Sequence, residues 1–327
     1  GVHMAAGGQV AFSTFLVNTG ETFELGNGIE IEGIGLFIGD GEEVITVARL
    51  GEELLGSTIS SLSFVSENDL GGRTLINDSG QVAFGAELAD GSSGAFLFTP
   101  ELNYRAGRDG FWDNANNWTL GLLPSAVHDV AVHSDSSATV FGPADNTTVR
   151  SLAIGGGAGQ VELRLDQGST ITSLSGDVEV NRRGRLTGDG VLAARLINRG
   201  TVAPENIFVD GDILNLERIE MGGDLGNGEV SRLATTGSFE NRGVIEGGGL
   251  IDAAIQNLPG AEIRVPAGER LRIGLEGSTN EGRIEVNGGE LELNGFAVNL
   301  PGGSIVGRDA ALRLDEGLLN QGELAVN

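Results

Sequence analysis

Asn198-Arg199-Gly200, Asn241-Arg242-Gly243, Asn257-Leu258-Pro259-Gly260, Asn280-Glu281-Gly282, Asn299-Leu300-Pro301-Gly302 and Asn320-Gln321-Gly322 repeat one device along residues 198–327. Each is a turn built on Asn and Gly, followed by a short run of alternating apolar residues. Asn215-Leu216-Glu217-Arg218-Ile219 is a weaker copy without the Gly. The successive Asn residues lie 17, 26, 16, 23, 19 and 21 positions apart. A mean of about 20 with no helical pattern is the period of a solenoid, one coil of chain per repeat.

The runs between the turns explain why the repeat coils. In Ile263-Arg264-Val265, Ile284-Glu285-Val286, Leu291-Glu292-Leu293 and Leu312-Arg313-Leu314, apolar residues two apart share one strand face and a charged residue points the other way. No such run buries its apolar side alone; stacked at about 4.8 Å per coil, all of them share one core. The expected fold is therefore all-β, with a parallel, right-handed β-helix over 127–327. That span predicts about ten coils and a length of about 48 Å. Gly is expected to supply positive φ at the corners. Asn198, Asn241, Asn257, Asn280, Asn299 and Asn320 are expected either to form an amide ladder along the stack or to tolerate a left-handed corner. Both roles are structural, and turn chemistry leaves no need for a ligand at these positions.

Composition agrees. Of 327 residues 55 are Gly, well above the usual ~7%, without the strict third-residue period of collagen. The formal charge of −26 argues against nucleic acid and anionic membrane surfaces, which call for basic patches. All 20 basic residues are Arg, so Lys-based nucleophiles are excluded. The absence of Cys excludes disulfides, thiolate catalysis and Cys-ligated metals. No apolar run approaches the ~18 residues of a membrane span. The chain stops in mid-strand at Leu324–Asn327, which predicts that it continues naturally or that a partner covers the last coil.

Residues 1–103 form a different unit. Gly8-Gln9-Val10-Ala11-Phe12 recurs as Gly80-Gln81-Val82-Ala83-Phe84, 72 positions later. Alternating apolar residues broken by Asp-Gly turns, as at Gly39-Asp40-Gly41 and Asp90-Gly91, predict antiparallel strands in a small propeller-blade-like domain. Ile76-Asn77-Asp78-Ser79-Gly80-Gln81-Val82-Ala83-Phe84 resembles the signature of a bacterial tandem-repeat family with Asn-x-x-Gly followed by Ala-Phe. The segment Gly35 to Arg49 matches that family's second element. Ala5-Ala6-Gly7 stands where the first copy would carry Asn. The resemblance implies an exported surface protein of the PEP-CTERM-anchored type, touching a membrane only through an anchor outside this chain.

Residues 104–126 read as a junction. They carry both Trp residues and the single Tyr, within Gly110-Phe111-Trp112-Asp113-Asn114-Ala115-Asn116-Asn117-Trp118 and Gly121-Leu122-Leu123-Pro124. This pattern resembles the lead-in to autotransporter-like β-helices. A solenoid needs its first coil covered, so Trp112 and Trp118 are expected as the cap, in preference to a sugar-stacking platform.

Candidate chemistry is sparse. His128 and His133 lie on opposite sides of a strand and share no metal. The turns Gly39-Asp40-Gly41, Asp210-Gly211-Asp212 and Gly222-Gly223-Asp224, with Gly247-Gly248-Gly249-Leu250-Ile251-Asp252, are weak Ca²⁺ candidates that turn chemistry explains better. No other cofactor is expected, and no catalytic residue stands out. Arg182-Arg183-Gly184-Arg185 is the densest basic spot; it suits a uronate or phosphate but reads first as a solvated corner. The expected function is a non-catalytic, secreted or cell-surface scaffold or adhesin-like protein, with polysaccharide or other surface proteins as partners. The alternatives are a polysaccharide lyase or hydrolase using outer-face Asp/Glu pairs, and a filament or sheath subunit that self-associates through an open solenoid end.

Overall fold

The computed structural model describes residues 2–15, 23–24, 30–31, 33–63, 75–223, 230–274 and 277–327. The chain divides into two units. One holds 1–102 with 118–123; the other holds 103–117 with 124–327. Among the described residues there is no α-helix, only the short 3₁₀ turns Ala115–Asn117 and Thr119–Gly121.

The second unit is a parallel β-solenoid in which 25 strands join one continuous ladder. Each coil contributes to three faces. On the first, Asp129–Val132 lies on Ser151–Ile154, and the stack continues coil by coil to Leu318–Asn320. That stack has ten members, hence nine coil-to-coil steps and a length of about 43 Å at the strand spacing.

The inward residues explain why the column holds. On the second face Val140, Leu163, Leu186, Val202, Ile219, Ile245, Ile263, Ile284 and Ile305 stack in register. All nine are buried. On the third face Ile207, Leu233, Ile251, Ile273 and Leu293 do the same. Each such side chain contributes about 1.5–3 kcal/mol on leaving water, so the interior is held by many equal increments.

Coil length does not disturb this register. The coil from Asn215 to Asn241 is 26 residues long and the next only 16, yet both deliver an aligned strand to each face. The Asn corners use Gly in two ways, not one. Gly260 and Gly302 have φ of 87° and 96°, the left-handed conformation expected. Gly200 and Gly243 do not; a Cβ there would strike the carbonyl oxygens of Asn181 and Glu217 on the preceding coil. Close approach between coils, not backbone handedness, requires Gly at those Asn-x-Gly corners.

The first unit is antiparallel. Val2–Met4, Val10–Phe15, Ile34–Gly39 and Val44–Arg49 form one four-stranded sheet, and Ser93–Phe98, Val82–Leu88, Ser57–Ser63 and Glu53–Leu54 another. The recurring pentapeptide thus seeds two sheets, one per copy. Its turn is built identically in each: Ala5 N–H donates to Gln9 O at 2.9 Å and Gly8 N–H to Ala5 O at 3.1 Å, as Asn77 does to Gln81 O at 3.1 Å and Gly80 to Asn77 O at 2.9 Å. In the first copy Ala5 stands where Asn77 stands, and Asp78 of the second accepts the backbone N–H of Ala6 at 3.1 Å. The following Phe of each copy stacks on a cross-strand Phe: Phe12 on Phe37 and Phe84 on Phe96, with centroids 5.7 and 5.6 Å apart.

Candidate functional site

The first feature of the solenoid is internal. On its first face the inward position is Val132, Ile154 and Val180, and from the next coil onward it is Asn198, Asn215, Asn241, Asn257, Asn280, Asn299 and Asn320. Each side-chain amide donates to the Oδ1 of the next at 2.6–2.8 Å. The second amide hydrogen goes to a backbone carbonyl beyond the corner, as from Asn198 to Arg218 O at 2.8 Å and from Asn299 to Glu323 O at 3.0 Å. Oδ1 of Asn198 also accepts the N–H of Gly200 at 3.1 Å. Six of the seven are buried, and a buried amide is tolerated only when its donors and acceptors are met. All seven end a strand, and none has a positive φ, so the left-handed-corner alternative does not apply. Asn215, the copy without Gly, is a full member.

The second feature is the outer face of the second column. Two outward rows run along it. One reads Thr139, Glu162, Arg185, Thr201 and Arg218 down successive coils; the other begins Phe111, Phe141, Arg164 and Thr187. Arg and Glu pair across coils: Arg185 with Glu220 and Arg218 with Glu246, each at 2.7 Å, and Arg218 also with Glu220 at 3.0 Å. Burial pushes the Glu220 carboxyl up, but the hydrogen bond and charge of Arg185, reinforced by Arg218, outweigh it and hold it below the ordinary carboxylate range. On the first face, hydrogen bonding from Arg150 lowers Asp129 against its burial. Asp90, Asp212, Glu285 and Glu292 are also displaced downward.

Between the first and second faces, at the Asn181–Gly184 corner, lies an open groove of about 1000 Å³. Arg182, Arg183, Arg185, Arg199 and Arg218 line it, with Asp109, Glu162 and Glu217. Three of these arginines belong to the basic run seen in sequence; Arg199 and Arg218 are added by stacking of later coils. Sequence reasoning did not associate Phe111 with Phe141, whose rings meet at 5.7 Å and 42°. The available signal was alternation: in Ala138–Phe141 the Ala and Val point in, which puts the Phe outside.

The remaining candidates fall as follows. Trp112 is 1% exposed; its backbone N–H donates to Phe141 O at 2.8 Å, at the first coil of the solenoid. Trp118 is fully buried but belongs to the antiparallel unit, so the two residues expected as one lid are divided between two cores. His128 is buried, and its Nδ1 accepts the N–H of Ser125 at 3.1 Å. Asp40 Oδ1 accepts the N–H of Glu42 and Glu43, which is turn chemistry, whereas Asp212 Oδ1 accepts that of Ser238 on the next coil. Asp224 lies outside the described residues. Among the described residues no three His, Asp or Glu side chains converge as a metal site, and no helix is long and apolar enough to cross a membrane.

A family model described as a family of unknown function (DUF7453) matches residues 2–101. This stretch coincides with the antiparallel unit, and that unit is similar to the family. No curated protein and no solved structure matches the chain.

Proposed function

We propose that the protein is a non-catalytic scaffold of a bacterial cell surface or extracellular matrix, adhesin-like in holding a ligand or partner along its solenoid. The observation that carries this reading is electrostatic. The carboxylates with displaced titration, Glu220 and Glu292 among them, are held ionised by arginines or hydrogen-bond donors. Glycoside cleavage by a carboxyl pair needs one member raised so that it stays protonated. At Glu220 and Glu292 the pull is the other way. The amide ladder and apolar columns supply the complementary property, a stiff body whose stability comes from repetition.

The export and anchoring implied by the tandem-repeat resemblance belong to the same proposal. The test is incubation of the full chain with a panel of anionic and neutral polysaccharides, followed by reducing-end and unsaturated-uronate assays. No release, together with retention of the protein on one or more polymers, is the expected result. Turnover of any polymer would replace the scaffold reading with the lyase or hydrolase one.

A further inference from the structure

The groove at the Asn181–Gly184 corner has properties that a solvated corner does not need. Five guanidiniums and three carboxylates line it, on a chain of formal charge −26. Arg185, Arg199 and Arg218 are engaged with Glu220, Glu179 and Glu246. Such half-exposed pairs are weak and readily exchange one carboxylate for another. The Arg182 side chain is exposed and, among the described residues, enters no ion pair or side-chain hydrogen bond. Arg183 has φ of 63°, the left-handed region in which a Cβ costs about 1–2 kcal/mol. Gly or Asn would sit there without that cost. Its Nη1 donates to the carbonyl of Ala158, which fixes the guanidinium on the groove wall. Strained backbone that presents a fixed charged group marks a site.

A second observation is independent of charge. Phe111 is 65% exposed and packs its ring against Phe141. Phe141 shares its strand and outward side with Thr139, which lines the groove, and two residues along a strand span about 7 Å. The aromatic plate therefore lies on the same outer face, with Phe141 two coils and Phe111 three coils before the one that carries Arg182 and Arg183.

We infer that this groove binds a carboxylate-bearing polysaccharide, a polyuronate, with Arg182 and Arg183 taking successive carboxylates and a sugar ring several residues further along the polymer lying against Phe111 and Phe141. The planar guanidinium matches a carboxylate with two parallel hydrogen bonds, and the C–H face of a pyranose suits an aromatic plate. Nucleic acid fits less well: a duplex carries a charge about every 1.7 Å, too dense for two arginines outside ion pairs within so acidic a chain. The assignment rests on the surface-scaffold reading for the polymer's presence, but not for the chemistry of the groove.

The experiment is calorimetric titration of the full chain with polygalacturonate, dextran and polyphosphate at two salt concentrations. It is repeated for the double variant Arg182→Ala/Arg183→Gly and for Phe111→Ala. Gly at 183 relieves the left-handed strain, so folding is not the variable, and a thermal melt of each variant checks this. The expected result is binding of polygalacturonate but not dextran, weakened by salt. The double variant should lose about tenfold or more in affinity, the factor set by losing charge-assisted hydrogen bonds, and Phe111→Ala severalfold. No binding, undiminished affinity in the double variant, or equally tight binding of polyphosphate would overturn the groove assignment while leaving the scaffold reading in place. Shortened polymer recovered from the wild-type titration would overturn the scaffold reading and keep the groove.

Discussion

The side-chain amide of Asn215 donates to Oδ1 of Asn241 at 2.7 Å across 26 residues of intervening chain, and Asn241 passes the same bond to Asn257 at 2.7 Å after only 16. Removing Asn241 therefore strands a donor on one side and an acceptor on the other, both buried. Asn241→Val should destabilise the solenoid by about 2–4 kcal/mol, the cost of leaving buried polar groups unmet. Asn198→Val removes only the first rung, beneath which Val180 already occupies the column, and should cost roughly half as much. Urea midpoints of the two variants measure the difference; equal midpoints would mean the ladder carries no cooperative weight.

Gly243 and Gly260 serve different ends, and substitution separates them. A side chain at Gly243 meets the carbonyl of Glu217, whereas one at Gly260 meets nothing within 4 Å but sits at φ 87°. Gly260→Asn should be nearly neutral, because Asn tolerates the left-handed region. Gly243→Asn should cost about 1–3 kcal/mol or more through overpacking between coils. Thermal melts of both variants decide it, and a reversed order would refute the close-approach account.

Asp129, Glu220 and Glu292 all titrate below their ordinary range in the folded chain. A carboxylate held lower when folded adds stability above its unfolded pKa, and loses it as pH falls through the folded value. Stability should therefore be level near neutrality and decline below about pH 4, where unfolded Asp and Glu begin to take up protons. Asp129→Asn removes the hydrogen-bonded charge facing Arg150 and should shallow that acid limb slightly, since the pair is half exposed. Melting temperature followed from pH 7 to pH 3 provides the check.

Trp112 and Trp118 lie in different cores, so their loss should be felt in different places. Trp112→Ala, at about 3–5 kcal/mol for a buried indole, should raise hydrogen exchange in the first coils, including Ala138–Phe141. Trp118→Ala should raise it among Val82–Leu88 and the strands paired with it. Protection lost in the same peptides by both variants would contradict the division.

Much of this was legible beforehand because the Asn-Gly turns and the period-2 runs report short-range constraints. Ile263-Arg264-Val265 states its inward and outward sides in three letters. Asn215 lacks the Gly that flags the other corners in sequence, whereas membership of the ladder is decided by the register with Asn198 on the preceding coil. Which Glu meets Arg218 was not readable, since Glu220 is two residues away and Glu246 is 28. Coil lengths that vary hide such neighbours. The same reason concealed Phe111 and Phe141, thirty positions apart by number, and the contribution of Arg199 and Arg218 to the groove at Arg182. Local pattern gave the coil; adjacency between coils had to be seen.

The amide seam keeps its spacing whether a coil has 16 residues or 26. Extra chain at a corner thus meets only the shallow entropy of a longer loop, about 0.6 kcal/mol per doubling. New peptide can be spliced in at these bends, and foreign epitopes or recognition loops displayed there, while the interior goes on winding as before.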